Sequence, residues 1–197
     1  MGACNEDGPT DQWETRSTHN NALSYGALTA EALGAGYRNI AVSGMGIVVG
    51  YVPKQAGQIW DRLYPEINSP KAVEGDWVPD VVCVNYGEND DSFSRNQGQA
   101  FPSEFSEGYV ALVRAMRAAY PKAEIVLLRG GMFGGARSEV LRHAWQRAVD
   151  TVEAEEETVF SLTDDRPREI PPDSQRPSSE WEDRRERVGG GDELIRG

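Results

Sequence analysis

Cysteine, lysine and histidine are all scarce in this 197-residue chain. There are two cysteines (Cys4, Cys83), three lysines (Lys54, Lys71, Lys122) and two histidines (His19, His143). Two cysteines, one of them inside the apolar run VVCVNYG, support neither a disulfide scaffold nor a cysteine zinc site. Cys83 reads as a buried free thiol. Positive charge is also short. Twenty Lys and Arg stand against 32 Asp and Glu, for a net charge of −12. Nucleic acid is therefore not an expected partner, because binding a polyanion needs clustered cations to displace its counterions. No apolar run approaches the ~20 residues that cross a bilayer. The first residues, MGACNEDGPTDQWE, are polar and acidic, unlike a signal peptide, so the chain as expressed is expected in the cytoplasm, with no membrane partner. No GxxxxGK[ST], no strand-borne GxGxxG and no His/Asp/Glu spacing suited to a metal occurs, so neither cofactor nor metal is expected.

What is present is an alternation of apolar segments. Tyr37 to Ser43, Asp80 to Tyr86, Glu124 to Leu128 and Thr158 to Leu162 are short and rich in β-branched residues, the pattern of strands covered on both faces. Between them lie helical stripes. Phe105, Tyr109, Leu112, Val113, Met116 and Tyr120 recur at spacings of three and four, as do Val140, Leu141, Ala144, Trp145, Ala148 and Val152. Earlier helices are expected over Ala22 to Leu33, closed by Gly34, and over Gln55 to Leu63. The alternation predicts an α/β fold with a parallel sheet between helical layers. From about Asp164 the chain becomes rich in Arg and Pro without an apolar period, so residues 1–163 read as a domain and 164–197 as a disordered tail.

Ligands of such sheets sit at the carboxyl ends of the strands. The loop there after the second segment reads Gly87-Glu88-Asn89-Asp90. An amide at that place can donate a side-chain N–H to a substrate oxygen on which charge develops, although an Asx turn ending the strand gives the same pattern. The loop after the first segment, Ser43-Gly44-Met45-Gly46, lets backbone N–H groups approach a ligand, or serves as a plain tight turn. Ser92 and Ser94 read as solvated loop residues. Trp13, Trp60, Trp77 and Phe133 are candidates for a sugar-accepting cleft, against ordinary packing.

The ordered blocks SYGALTAEALGA, NIAVSGMG, PDVVCVNYGEND and YPKAEIVLLRG together resemble the SGNH (GDSL-type) hydrolases, and among these the carbohydrate esterase family 2 deacetylases. The resemblance implies a three-layer α/β/α sandwich and hydrolysis of short acyl esters, such as acetylated sugars, through a serine. It implies that Gly44 and Asn89 form the oxyanion hole, with Ser43, Gly87 and Asp90 beside the substrate. The Gly-Asp-Ser block of that family, which ends its first strand, does not occur in the sequence. The place of its Asp-x-x-His block reads Asp164-Asp165-Arg166-Pro167. Arginine stays protonated at neutral pH and cannot serve as the base. A domain without its first strand is thus expected, with a homodimer as one way to fill the gap. Esterase and inactive ligand-binding remnant both remain open.

Overall fold

The computed structural model describes residues 19–72, 77–129, 139–155 and 159–163. The chain divides into two units, Met1–Asp165 and Arg166–Gly197, and every described residue belongs to the first. The expected tail, Asp164 and Arg166 lie outside the described residues.

A 3-10 turn, Asn21–Leu23, leads into α1 (Tyr25–Leu33). The Ser24 hydroxyl caps α1 by accepting from Ala27 N–H, and Gly34 ends it in the left-handed conformation at φ 61°. Then come α2 (Ala56–Ile59), β1 (Val81–Asn85), α3 (Glu88–Asn96), α4 (Phe105–Ala119), β2 (Glu124–Arg129), α5 (Glu139–Glu153) and β3 (Val159–Thr163). The strands form one parallel sheet in the order β1-β2-β3, with Val84 opposite Leu127 and Ile125 opposite Val159. The amphipathic stripes are buried except at their ends: Val140, counted in the second stripe, is exposed, and Tyr120 is half-buried as the residue that caps α4. Phe105, Tyr109, Leu112, Val113 and Met116 of α4 are buried, as are Leu141, Ala144, Trp145, Ala148, Val149 and Val152 of α5. The two helices pack against each other, and Val84, Ile125, Leu127 and Val159 of the sheet join the same core.

Three expectations need correction. Tyr37 to Ser43 is not a strand. No backbone group of it joins the sheet; instead Asn39 donates to Asn21 Oδ1 at 2.7 Å and the Tyr37 and Ser24 hydroxyls lie 3.4 Å apart. A strand needs a neighbour to satisfy its ladder groups, and this segment has none among the described residues. The strands are also not covered equally on both faces. One face carries Val84, Ile125 and Leu127, all buried, whereas the other exposes Val81, Phe160 and Leu162. Cys83 lies on that second face and is exposed, not buried.

Candidate active site

At the carboxyl end of β1 the chain turns sharply into α3. Gly87 is the turn, at φ 124°. A Cβ there would lie 2.5 Å from Leu141 Cδ1 and 3.0 Å from Phe105, so only glycine fits beneath the two long helices. The stretch expected as a loop is therefore the first turn of a helix. Glu88, Asp90 and Asp91 lie in that turn, where carboxylates suit the helix dipole. Its inward face is polar: Asp90, Asp91 and Ser94 are the buried residues of α3. Ser94 is thus no solvated loop residue, and Ser92 sits on the same helix with its hydroxyl 3.3 Å from Tyr51 Oη.

The glycine-bearing segment folds onto α3. Gly44, at φ 81°, accepts from Tyr51 N–H at 2.7 Å through its carbonyl, and the Gly46 carbonyl accepts from Ala56 N–H at 3.0 Å. Residues 44–56 thereby close into a compact loop. Helix α3 grips it at several points. Asn89 Nδ2 donates to the Met45 carbonyl at 2.8 Å. Asp90 Oδ2 accepts from Ile47 N–H at 2.9 Å, and its Oδ1 accepts from Val48 and Val49 N–H at 2.8 and 3.1 Å. Phe93 meets Tyr51 edge-on, and Asn96 donates to Tyr51 Oη at 2.6 Å. Asp90 is fully buried. Burial pushes its carboxyl above the ordinary aspartate range, while the three N–H groups pull it back down.

The structure thus brings together the two turns singled out in the sequence. Asn89 is half-buried and uses one amide proton on Met45, which leaves the second for a ligand. Among the described residues the Gly44 N–H has no acceptor. Ser43 is exposed at the lip of the turn. Gly87 is buried under Leu141 and Phe105. Asp90 cannot meet a substrate as expected, because both of its oxygens are sealed against the loop backbone. Tyr51, Phe93 and Asn96 were missed by sequence reasoning. Their signal was available in the spacing 89, 90, 93 and 96 on one helix, but it is polar and so escapes a search for apolar stripes.

An open depression of ≈ 330 Å³ flanks the loop, lined among others by Val49, Val52, Gln58 and Phe93; neither Gly44 nor Asn89 lines it. Of the candidate sugar-facing aromatics, Trp60 packs on the core and meets Tyr120 edge-on, Trp77 lies against Gly36, and Trp13 and Phe133 fall outside the described residues. His143 is an exposed residue of α5 beside Arg142 and Glu139. Among the described residues no three His, Cys, Asp or Glu side chains converge as metal ligands, and no helix is long and apolar enough to cross a membrane.

The structure is thus a parallel α/β sheet with a glycine-bearing turn tied to an asparagine just beyond the end of β1. The model of the GDSL-like Lipase/Acylhydrolase family matches residues 7–185, and the chain belongs to that family. It is 34% identical over 141 residues to the cellulase/esterase CelE of Acetivibrio thermocellus, covering 70% of this chain and 17% of that one. It is 29% identical over 139 residues to an acetylxylan esterase / glucomannan deacetylase of Cellvibrio japonicus, covering 66% and 38%. Among solved structures, an active-site mutant of a family two carbohydrate esterase from Clostridium thermocellum superposes with a TM-score of 0.70 at 29% identity, over 84% of this chain and 50% of that chain. The family two carbohydrate esterase of Cellvibrio japonicus gives a TM-score of 0.69 at 23% identity, over 82% and 48%. The chain therefore spans about half the length of these solved relatives, and less of the curated ones.

Proposed function

We propose that this chain is the hydrolase part of a carboxylic-ester hydrolase acting on acetyl or other short acyl esters of carbohydrates. The observation that carries the reading is the convergence of the Gly44 turn and Asn89, tied at the Met45 carbonyl. In the proposed reaction a hydroxyl oxygen bonds to the acyl carbon and the carbonyl electron pair moves onto its oxygen. The Gly44 N–H and the second Asn89 amide proton meet that oxyanion. As the oxyanion's electron pair returns, the bond to the sugar oxygen breaks and the sugar leaves as the alcohol, carrying the proton that the attacking hydroxyl gave up. Water then adds to the acyl carbon, returning a proton to the hydroxyl and releasing the acid. Fixed donors of this kind act where charge forms, and removing one lowers kcat by about 10²–10³-fold. Ser43, exposed at the lip of the turn, lies beside the substrate in this reading, while the buried Gly87 only makes the turn that presents Asn89. Asp164 and Arg166 hold the positions of the family's acid and histidine.

Arg166 favours a second reading, because a guanidinium cannot take a proton from a serine. In that reading the site binds acetylated sugars without turning them over. The names of the relatives, an acetylxylan esterase among them, support the sugar-ester class for both. One experiment separates the two: hydrolysis of an activated acetate ester and of acetylated xylan by the purified chain, beside Asn89→Ala, with a serine-directed phosphonate. Turnover that drops in the variant, with one labelled serine, supports the hydrolase and identifies the attacking hydroxyl. Retention on acetylated xylan without turnover or label supports the binding module.

A further inference from the structure

We propose that Asp90 is a positioning residue that sets the pitch of the oxyanion turn, holding the Gly44 N–H in register with Asn89 without itself meeting the substrate. The inference rests on the ester-hydrolase reading above and deepens it. Asn89 and Asp90 are neighbours on the first turn of α3, so their side chains diverge by about 100° around the helix axis. They reach the same loop on either side of Gly46. Asn89 takes the Met45 carbonyl, and Asp90 takes the N–H groups of Ile47, Val48 and Val49. Three successive donors pointing at one carboxylate form a nest suited to an anionic acceptor, and without it the buried Ile47 N–H and the half-buried Val48 and Val49 N–H groups would lose their partner. Gly46 completes the fit. A Cβ on it would lie 2.6 Å from Asp90 Oδ2, so the carboxylate occupies the space that any side chain at position 46 would need.

The consequence for catalysis is geometric. The two proposed donors to the oxyanion sit on different elements, one on the loop and one on α3. The Asn89 and Asp90 contacts tie the loop to α3 on either side of Gly46, beside the Tyr51 contacts with Ser92, Phe93 and Asn96. A misplacement of about 1 Å in such a site costs about 10²-fold in rate. Asp90 is fully buried, so its loss should appear in kcat and leave KM alone. Asparagine at this position is nearly isosteric but cannot substitute. Oδ1 serves Val48 and Val49 and Oδ2 serves Ile47, so either orientation of an amide turns an NH2 toward at least one N–H donor.

The test uses the whole chain and Asp90→Asn. Amide hydrogen exchange is followed by NMR, and kcat and KM are measured on an activated acetate ester. Exchange at Ile47, Val48 and Val49 should quicken at least tenfold, while Ile125 and Leu127 in the central strand keep the parent's rates. kcat should fall tenfold or more, with KM within twofold. Unchanged exchange at the three amides overturns the inference, as does loosening of the loop with kcat intact. Should Asp90→Asn unfold, the parent decides: these three amides must be protected at least tenfold beyond those of Gly50 and Val52 in the same loop, and equal protection sinks the idea. A parent that turns over no ester refutes the hydrolase reading separately, and the Asp90 clamp then stands or falls on exchange alone.

Discussion

The Asn89 side-chain amide and the Met45 carbonyl, 44 residues apart in the chain, meet at 2.8 Å and join the two turns of the site. The bond is half-buried, so deleting it removes one hydrogen bond and leaves a carbonyl short of its donor. Asn89→Ala should therefore destabilise the chain by about 1 kcal/mol. Asn89→Asp should cost more, because it sets a carboxylate oxygen against the carbonyl oxygen. Urea midpoints for the two variants beside the parent check this; an Ala variant with the parent's midpoint would show that the contact contributes nothing, and an Asp variant as stable as the Ala variant would show no repulsion.

Two glycines offer a sharp contrast. A Cβ on Gly46 would stand 1.8 Å from the Val49 carbonyl oxygen and 2.6 Å from Asp90 Oδ2, whereas a Cβ on Gly57 in α2 meets nothing within 4 Å. Gly46→Ala should cost more than 3 kcal/mol or abolish folding, since backbone and buried carboxylate must both move. Gly57→Ala should be neutral or stabilising by up to about 1 kcal/mol, because alanine loses less backbone entropy in a helix. Thermal unfolding of both variants decides; a Gly46→Ala protein with the parent's Tm would mean that the loop is not clamped.

Asp90 also gives stability a pH dependence of defined sign. Its folded carboxyl titrates above the ordinary aspartate range because of burial. In the window between the unfolded and folded values the native state binds the proton and the unfolded chain does not. Stability from this group is therefore fully present below the unfolded value and is lost as pH rises through the folded one. The difference in unfolding free energy between the parent and Asp90→Asn cancels the other carboxylates. That difference should move in the parent's favour as pH falls from neutral toward 4. A flat difference, or one of opposite slope, refutes the assignment.

The parts of this fold that were legible in the sequence are those with an apolar period. The stripes of α4 and α5 and the segments of β1, β2 and β3 stand out because their buried faces are made of Val, Leu, Ile and aromatics. Helix α3 was read as a loop because its inward residues are Asp90, Asp91 and Ser94. Hydrophobic periodicity cannot register a helix whose buried face makes hydrogen bonds. Tyr37 to Ser43 was read as a strand because its composition suits one. Strand formation, however, is settled by a partner, and its Asn39 and Tyr37 side chains turn instead to the start of α1. The pairing of the Gly44 turn with Asn89 could be expected only from family resemblance. The bonds that make it span more than 40 residues and leave no local trace.

Cys83 tests the exposed face of the sheet. It sits at the middle of β1, and the residue is exposed, yet desolvation by its surroundings still raises the thiol above its ordinary value. Access and reactivity therefore part company. A raised value means less thiolate at a given pH, and the thiolate is the species that attacks. Iodoacetamide should modify Cys83 in the folded chain at pH 7.5 several-fold more slowly than a free cysteine. The rate should climb with pH through and beyond the ordinary thiol range, and reach the free-cysteine rate in urea. Mass spectrometry of the peptide carrying Cys83 separates it from Cys4. A folded-state rate equal to that of free cysteine at pH 7.5 would show that the strand leaves this thiol fully solvated. A residue inert even at high pH would show instead that this face is covered.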